Sequence, residues 1–201
     1  MKPRNFTQRI LQAGLLALTF NLIAVASANA KTAPAFPNIS IKNFGQMNDR
    51  FFRGAQPGEN DYKALAALGI KTVIDLRDDP ASYEKPGAEA AGMRYVNIPM
   101  SDSSRPRDEQ IAQFLKLVDD PATGRFFVHC AGGRHRTGVM GAVYRMTHDG
   151  WNFDQAYTEM KNYDFYTRFG HGALKDYVQS YYGGLKSIEV SAGHGSSGLN
   201  H

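Results

Sequence analysis

The chain has 201 residues, of which 42% are hydrophobic and 21% charged, and this size and composition suit one globular domain with tails. Its formal net charge is +4, with 23 basic and 19 acidic residues. Three of the basic residues and no acidic residue lie in residues 1–30, so the rest of the chain is close to neutral. A broad basic surface is excluded, and we expect no nucleic-acid partner.

Residues 1–30 have the layout of a secretory signal peptide. A basic start is followed by an interrupted apolar run over residues 10–25 and by a small-x-small cleavage pattern, Ala28-Asn29-Ala30. We therefore expect a periplasmic or secreted protein with no stable membrane span once the leader is removed. An uncleaved membrane anchor is the alternative, although the apolar run is shorter than a clean spanning helix.

The remaining chain divides into three predicted parts: a lead-in over residues 31–43, a folded domain over 44–184 and a disordered tail over 185–201. Hydrophobic periodicity predicts strands at residues 39–41, 50–53, 71–76, 93–98 and 126–128. It predicts helices at residues 60–68, 83–91, 108–118, 139–146, 153–163 and 173–182. This alternation favours an α/β fold with a central, mainly parallel sheet flanked by helices.

Three charged residues are predicted to be structural. We expect Arg53, at the end of an early strand, to form a salt bridge beneath a loop. We expect Asp75 and Arg77 to pair with neighbours in the sheet, since most charges at such positions are structural.

One loop carries most of the predicted chemistry: His129-Cys130-Ala131-Gly132-Gly133-Arg134-His135-Arg136-Thr137-Gly138. It joins an apolar strand to a helix, and successive amides there, with the helix N-terminus, can form a concavity that binds an anion. The planar guanidinium of Arg136 matches two oxygens of a phosphate. The same field stabilises a thiolate, so we predict a depressed pKa for Cys130, the chain's only cysteine.

A cysteine, five residues, an arginine and Thr-Gly, preceded by histidine, resemble the signature loop of the protein tyrosine phosphatase superfamily. Residues 52–57 (Phe-Arg-Gly-Ala-Gln-Pro) and 70–77 (Ile-Lys-Thr-Val-Ile-Asp-Leu-Arg) are similar to the early strands of small atypical dual-specificity phosphatases. The resemblance covers residues 44–182. It implies a member with the cysteine phosphatase fold, which hydrolyses phosphate monoesters through a cysteinyl-phosphate and needs no metal or cofactor. With the signal-peptide layout of residues 1–30, we expect a bacterial, exported member.

The resemblance also implies roles within the loop. Cys130 attacks phosphorus, while the guanidinium of Arg136 and the loop backbone bind the phosphate oxygens. The predicted phosphate-binding residues are Ala131, Gly132, Gly133, Arg134, His135 and Arg136. Two neighbours support them: His129 orients the loop, and the Thr137 hydroxyl donates to the sulfur.

The leaving alkoxide needs a proton from a general acid. In the resembled family, the acid is an aspartate on a loop before the signature strand, and Asp102 fits that place. Asp108 is predicted instead to stabilise the first turn of a helix. Asp164 and His171 are outside candidates that C-terminal helices would bring to the site.

The expected substrate is a phosphorylated protein or a small phosphorylated molecule. Arg134 and His135 add positive charge to the loop, and Arg105 and Arg107 are candidates to reach it, which favours a strongly anionic substrate. The motif does not separate phosphotyrosine or phosphoserine proteins from inositol phosphates. Two other functions remain open: a phosphate-binding module without turnover, and a rhodanese-type sulfurtransferase, which would not need Arg136 followed by Thr137.

Overall fold

The computed structural model describes residues 36–195, so the predicted signal peptide and the first part of the lead-in lie outside it. The described chain forms a five-stranded sheet in the order β1-β2-β5-β3-β4. The strands are β1 Gly45–Gln46, β2 Phe51–Ala55, β3 Ile70–Arg77, β4 Arg94–Met100 and β5 Arg125–Cys130. Only the short β1 runs antiparallel to its neighbour, which confirms the predicted, mainly parallel sheet.

Within residues 36–195, six α-helices and one short 3-10 helix, Pro121–Thr123, connect or cover the strands. The α-helices are α1 Asp61–Ala67, α2 Glu84–Ala90, α3 Asp108–Asp119, α4 His135–His148, α5 Phe153–Asn162 and α6 Gly172–Gly195. Each corresponds to a predicted helix. Capping fixes the start of α5, because the Asn152 side chain accepts from the Gln155 amide at 3.0 Å and the Gln155 side chain accepts from the Asn152 amide at 2.9 Å. Within residues 36–195, no helix has the length and apolar run needed to cross a bilayer.

The two faces of the sheet carry separate hydrophobic cores. Successive side chains of a strand point to opposite faces, so β5 sends Phe126, Val128 and Cys130 to one side and Phe127 and His129 to the other. The first set packs with α3, α4, α5 and α6, and Phe127 packs with residues of α1 and α2. The nucleophile candidate and its preceding histidine therefore lie on opposite faces.

Two predicted elements differ from the structure. Residues 39–41 form an irregular segment between two turns rather than a strand, although Ile41 is buried with Phe52 and Phe127 in the α1/α2 core. The alternation came from core contacts made by an irregular segment. At the other end, α6 continues to Gly195, past the predicted start of a disordered tail, and Leu185 within it packs against the α3–α6 core. Residues 196–201 lie outside the described chain.

Candidate active site

The loop between β5 and α4 begins at Cys130, the last residue of β5, and ends where α4 starts at His135. Gly133 within it has φ +66°, a left-handed conformation that suits glycine. A β-carbon at this position would lie 2.4 Å from the carbonyl carbon of Gly54 in β2. The loop therefore packs directly onto the neighbouring strand, and only glycine fits at Gly133.

Side chains behind the loop hold its carbonyl groups. Arg53 Nη2 donates to the Gly133 carbonyl oxygen at 2.7 Å, and Asn43 Nδ2 donates to the Gly132 carbonyl oxygen at 3.0 Å. Burial lowers the pKa of Arg53 to about 10, so it stays charged at neutral pH. Arg53 lies beneath the loop as predicted. Its guanidinium also lies 4.0 Å from the Tyr163 ring centroid, and within residues 36–195 it does not form the predicted salt bridge.

The Cys130 thiol is 3% exposed and lies against the start of α4. Burial raises the pKa of Cys130, but hydrogen bonds from the Thr137 side chain and amide, the charge of Arg136 and the Gly133 amide outweigh burial and lower it. The Thr137 hydroxyl is buried near the sulfur but forms no hydrogen bond of standard geometry with any group in residues 36–195. The loop thus favours a thiolate.

Arg136 is held on one side and open on the other. Its Nη1 donates to Asp78 Oδ1 at 2.8 Å and to the Met100 carbonyl oxygen at 3.1 Å, which fixes the plane of the guanidinium. Its Nε is buried and has no hydrogen-bond partner within residues 36–195. A buried charged donor without a partner is costly, and an anion in the pocket would satisfy it.

A pocket of about 180 Å³ opens over the thiol. The residues that line it are Asp102, Cys130, Ala131, Gly132, Arg134, His135, Arg136, Tyr166 and His171. Most of the predicted site residues therefore meet in one cavity, including the candidate acid Asp102 and the outside candidate His171. Gly133, Thr137 and His129 are not part of this lining.

Other predicted neighbours lie elsewhere. Asp164 does not line the pocket, and it has φ +59° just after α5. The Arg105 guanidinium lies 5.6 Å from the Tyr177 ring centroid, and Arg107 pairs with Glu109 at 4.0 Å, so neither lines the pocket. Asp108 begins α3, as expected for a residue that favours the helix dipole.

Residues 28–174 match the family model of a DSP-PTPase phosphatase fused to NAD⁺ kinase. This match covers more than half of the chain. The chain belongs to this dual-specificity phosphatase family. The NAD⁺ kinase in this description belongs to the family's name, and the part that matches this chain is the phosphatase domain.

Curated relatives of this phosphatase agree with the family. The probable tyrosine-protein phosphatase DG1060 of Dictyostelium discoideum is 28% identical over 127 residues, which are 60% of this chain and 75% of that protein. Dual specificity protein phosphatase TpbA of Pseudomonas aeruginosa is 29% identical over 125 residues, 61% of this chain and 55% of that protein. Inositol diphosphatase DSP2 of Oryza sativa subsp. japonica is 26% identical over 118 residues, 52% of this chain and 54% of that protein.

The fold of the phosphatase is also similar to a solved structure. The crystal structure of P. aeruginosa TpbA matches with a TM-score of 0.62 and 26% identity, covering 74% of this chain and 91% of that chain. The match thus spans about half the length of the curated Pseudomonas and rice sequences and most of the crystallised TpbA chain. Together these relatives place the chain among phosphatases of the tyrosine or dual-specificity type.

Behind the phosphatase loop, His129 is fully buried between two carboxylates. Its Nε2 lies 3.1 Å from Glu84 Oε2, and its Nδ1 lies 3.8 Å from Asp75 Oδ1. These three residues have a spacing that could hold a metal ion. However, their carboxylates already accept hydrogen bonds, Asp75 from Tyr95 at 2.7 Å and Glu84 from Tyr62 at 3.3 Å. We interpret the cluster as a structural network.

Two functional contacts were not found by sequence reasoning. Tyr166 lines the pocket, with its ring centroid 4.4 Å from that of His135, and Asp78 holds Arg136. Both lie far along the chain from the signature loop. The sequence did hold a signal for Asp78, which directly follows the parallel strand β3. The carboxyl ends of parallel strands meet at one edge of the sheet, so a polar residue there is a candidate for the site.

Proposed function

We propose that this phosphatase hydrolyses phosphate monoesters through a covalent cysteinyl-phosphate. The observation that carries the proposal is the pairing, in one small pocket, of a thiol with a lowered pKa and a buried guanidinium whose Nε has no partner within residues 36–195. The first favours the nucleophilic thiolate, and the second is a donor that lacks an anion.

The reaction has two displacement steps. In the first, the Cys130 thiolate bonds to phosphorus, the ester P–O bond breaks, and Asp102 gives a proton to the leaving oxygen. In the second, Asp102, now a carboxylate, takes a proton from water, whose oxygen bonds to phosphorus as the P–S bond breaks. Arg136 and the loop amides stabilise the charge of the equatorial oxygens in both transition states. The Thr137 hydroxyl stabilises the departing thiolate.

The substrates we propose are phosphotyrosine or phosphoserine proteins, or inositol phosphates. The pocket wall combines an aromatic ring, Tyr166, with the charge of Arg134, so it suits an aryl ester as well as a strongly anionic one. The Pseudomonas relative is named for dual-specificity protein phosphatase activity and the rice relative for inositol diphosphatase activity. We further propose a periplasmic or secreted location, which the signal-peptide layout of residues 1–30 supports.

The test is hydrolysis by the mature protein of p-nitrophenyl phosphate, phosphopeptides and inositol phosphates, with wild type compared with Cys130→Ser. We expect the variant to lose at least about 10⁴-fold in kcat, as when a nucleophile is removed, and to keep its affinity for inorganic phosphate. Mass spectrometry of wild type quenched in acid should find one phosphate on Cys130.

These measurements, with a thiosulfate–cyanide assay added, separate the alternatives. Tight phosphate binding with no turnover by wild type would instead support a binding module. Turnover that survives in Cys130→Ser would contradict the covalent mechanism. Transfer of sulfur from thiosulfate to cyanide, without phosphate release, would support a sulfurtransferase.

A further inference from the structure

The segment between α5 and α6 brings His171 to the loop that carries Asp102, 69 residues away in the chain. His171 Nδ1 lies 2.8 Å from the backbone carbonyl oxygen of Asp102. A carbonyl oxygen only accepts hydrogen bonds, so Nδ1 carries a proton and donates it to this bond. His171 therefore contacts the backbone of the candidate acid and leaves its carboxylate free.

The His171 ring is fixed from the other side by the phosphate-binding loop. It is 9% exposed and stacks on His135 with ring centroids 3.6 Å apart and an interplanar angle of 20°. Burial, together with the charge of His171, lowers the pKa of His135 to about 4. His135 is therefore neutral at pH 7, and the stack has no repulsion between two cations. His171 thus bridges the two loops whose relative position matters for catalysis.

The backbone on both sides of this bridge supports the same interpretation. Phe169 and Gly170, just before His171, have φ +56° and +88°, a tight left-handed turn. Gly170 packs against the Asp102 loop, where a β-carbon would meet Ser103 Cβ at 3.8 Å. The Asp102 loop itself is exposed, and its internal bonds are short-range, from the Ser103 and Ser104 amides to Ser101 Oγ.

We propose that His171 is a positioning residue that holds the Asp102 loop against the phosphate pocket, so that the Asp102 carboxyl group can protonate the leaving oxygen. The inference rests on the proposed function, since it concerns the acid step of that reaction. His171 transfers no proton itself. Without its bond, the Asp102 backbone samples orientations in which the carboxyl group is out of reach, and misplacement on this scale slows a reaction strongly.

Two substrates that differ in the basicity of the leaving group test this effect. Phenyl phosphate releases a basic phenolate that needs the acid, whereas p-nitrophenyl phosphate releases a stable anion that needs it little. We expect His171→Ala to lower kcat/KM about 10-fold or more for phenyl phosphate and less than about 3-fold for p-nitrophenyl phosphate. Asp102→Asn should show the same selectivity with a larger loss. Wild type should discriminate least between the two esters.

Two substitutions separate the hydrogen bond from the ring stack. The asparagine amide nitrogen in His171→Asn occupies roughly the place of Nδ1, so this variant should recover much of the phenyl phosphate activity that His171→Gln loses. His148→Asn is the matched control. The His148 ring also lies 3.2 Å from a backbone carbonyl, that of Tyr144, and also stacks on a ring, at 4.4 Å, but lies outside the pocket. It should leave both esters unaffected.

Hydrogen exchange tests the anchoring without turnover. In phosphate buffer, amides of residues 102–104 should exchange faster in His171→Ala than in wild type, while β5 amides do not change. Equal exchange in both proteins, or an equal loss on both esters, would overturn the proposal. If wild type hydrolyses neither ester, the proposed function fails, and the exchange result alone still decides whether His171 anchors the loop.

Discussion

Cys130 and His129 are neighbours in the chain but belong to two contrasting regions of the molecule. His129 points to the α1/α2 face, where it lies between Asp75 and Glu84, and tyrosine hydroxyls bind both carboxylates. Cys130 points to the other face, into a pocket where the Arg136 Nε and the His135 Nε2 are buried without hydrogen-bond partners in the described chain. Both regions are polar and buried.

The difference lies in whether a pocket opens onto the polar groups. Behind the loop, the carboxylates have protein partners, so the network contributes to the fold. In front of it, donors are held in place by other contacts but lack an anion, a costly arrangement that a bound phosphate relieves. Both ring nitrogens of His129 behind the loop also lack hydrogen-bond partners in the described chain, so the working side of β5 is marked by the pocket that lets an anion reach the thiol and the Arg136 guanidinium.

The largest effect should follow from removing the guanidinium on the pocket side. Arg136→Lys keeps the charge but loses the planar set of donors, so we expect kcat/KM to fall by about 10²–10³-fold, as when a transition-state donor is lost. Affinity for vanadate should fall in parallel. Arg134→Lys is the matched control on the pocket wall, and we expect a fall below about 10-fold. Equal losses in both variants would remove the special role of Arg136.

Gly133→Ala should damage the loop through its backbone. Alanine at φ +66° is strained by about 1–2 kcal/mol, and contact with Gly54 adds an overpacking cost of about 1–3 kcal/mol. Urea unfolding should show a loss of about 3 kcal/mol. Gly92→Ala has a similar φ of +76° and no neighbour within 4 Å, so it should lose only the strain. Similar losses in both would contradict the close packing on β2.

A smaller effect is expected behind the loop. Tyr95→Phe removes the donor to Asp75, and the free energy of unfolding at pH 7 should fall by about 1–3 kcal/mol, with kcat changed less than about 3-fold. Burial raises the pKa of Asp75, while His129 and the Tyr95 hydroxyl oppose that shift. Stability contributed by a raised carboxyl pKa is lost as pH rises through the folded value. The Tyr95 hydroxyl opposes this loss by stabilising the ionised carboxylate, so the defect of the variant should shrink in acid, where Asp75 is protonated.

The control for this network is Tyr181→Phe, whose hydroxyl pairs with Thr147 on an exposed surface. Its unfolding free energy should stay within about 0.5 kcal/mol of wild type. A defect of Tyr95→Phe that is the same at every pH would show that the Asp75 carboxylate is not its origin.

How much could be predicted from sequence depended on the range of the interactions. The signature loop, the strand before it and the helix after it are local, so the sequence predicted that Cys130 and Arg136 lie where a strand passes into a helix. The segment after α5 folds back onto the pocket, and this brings His171 to Asp102 and Tyr166 to the pocket wall. Hydrophobic periodicity within the segment does not predict such a long-range contact. The strand predicted at residues 39–41 was wrong because Ile41 reaches the core from an irregular segment rather than from a strand.

The most direct test of the account is the pH dependence of Cys130 alkylation by iodoacetamide. The chain has a single cysteine, so the rate for the whole protein reports this thiol, and the same chain in urea supplies the unfolded reference. We expect the folded protein to lose reactivity only as pH falls through a midpoint clearly below about 8.5, the ordinary thiol value, and phosphate to protect it. A folded midpoint at or above the urea value would contradict the stabilised thiolate on which the mechanism depends.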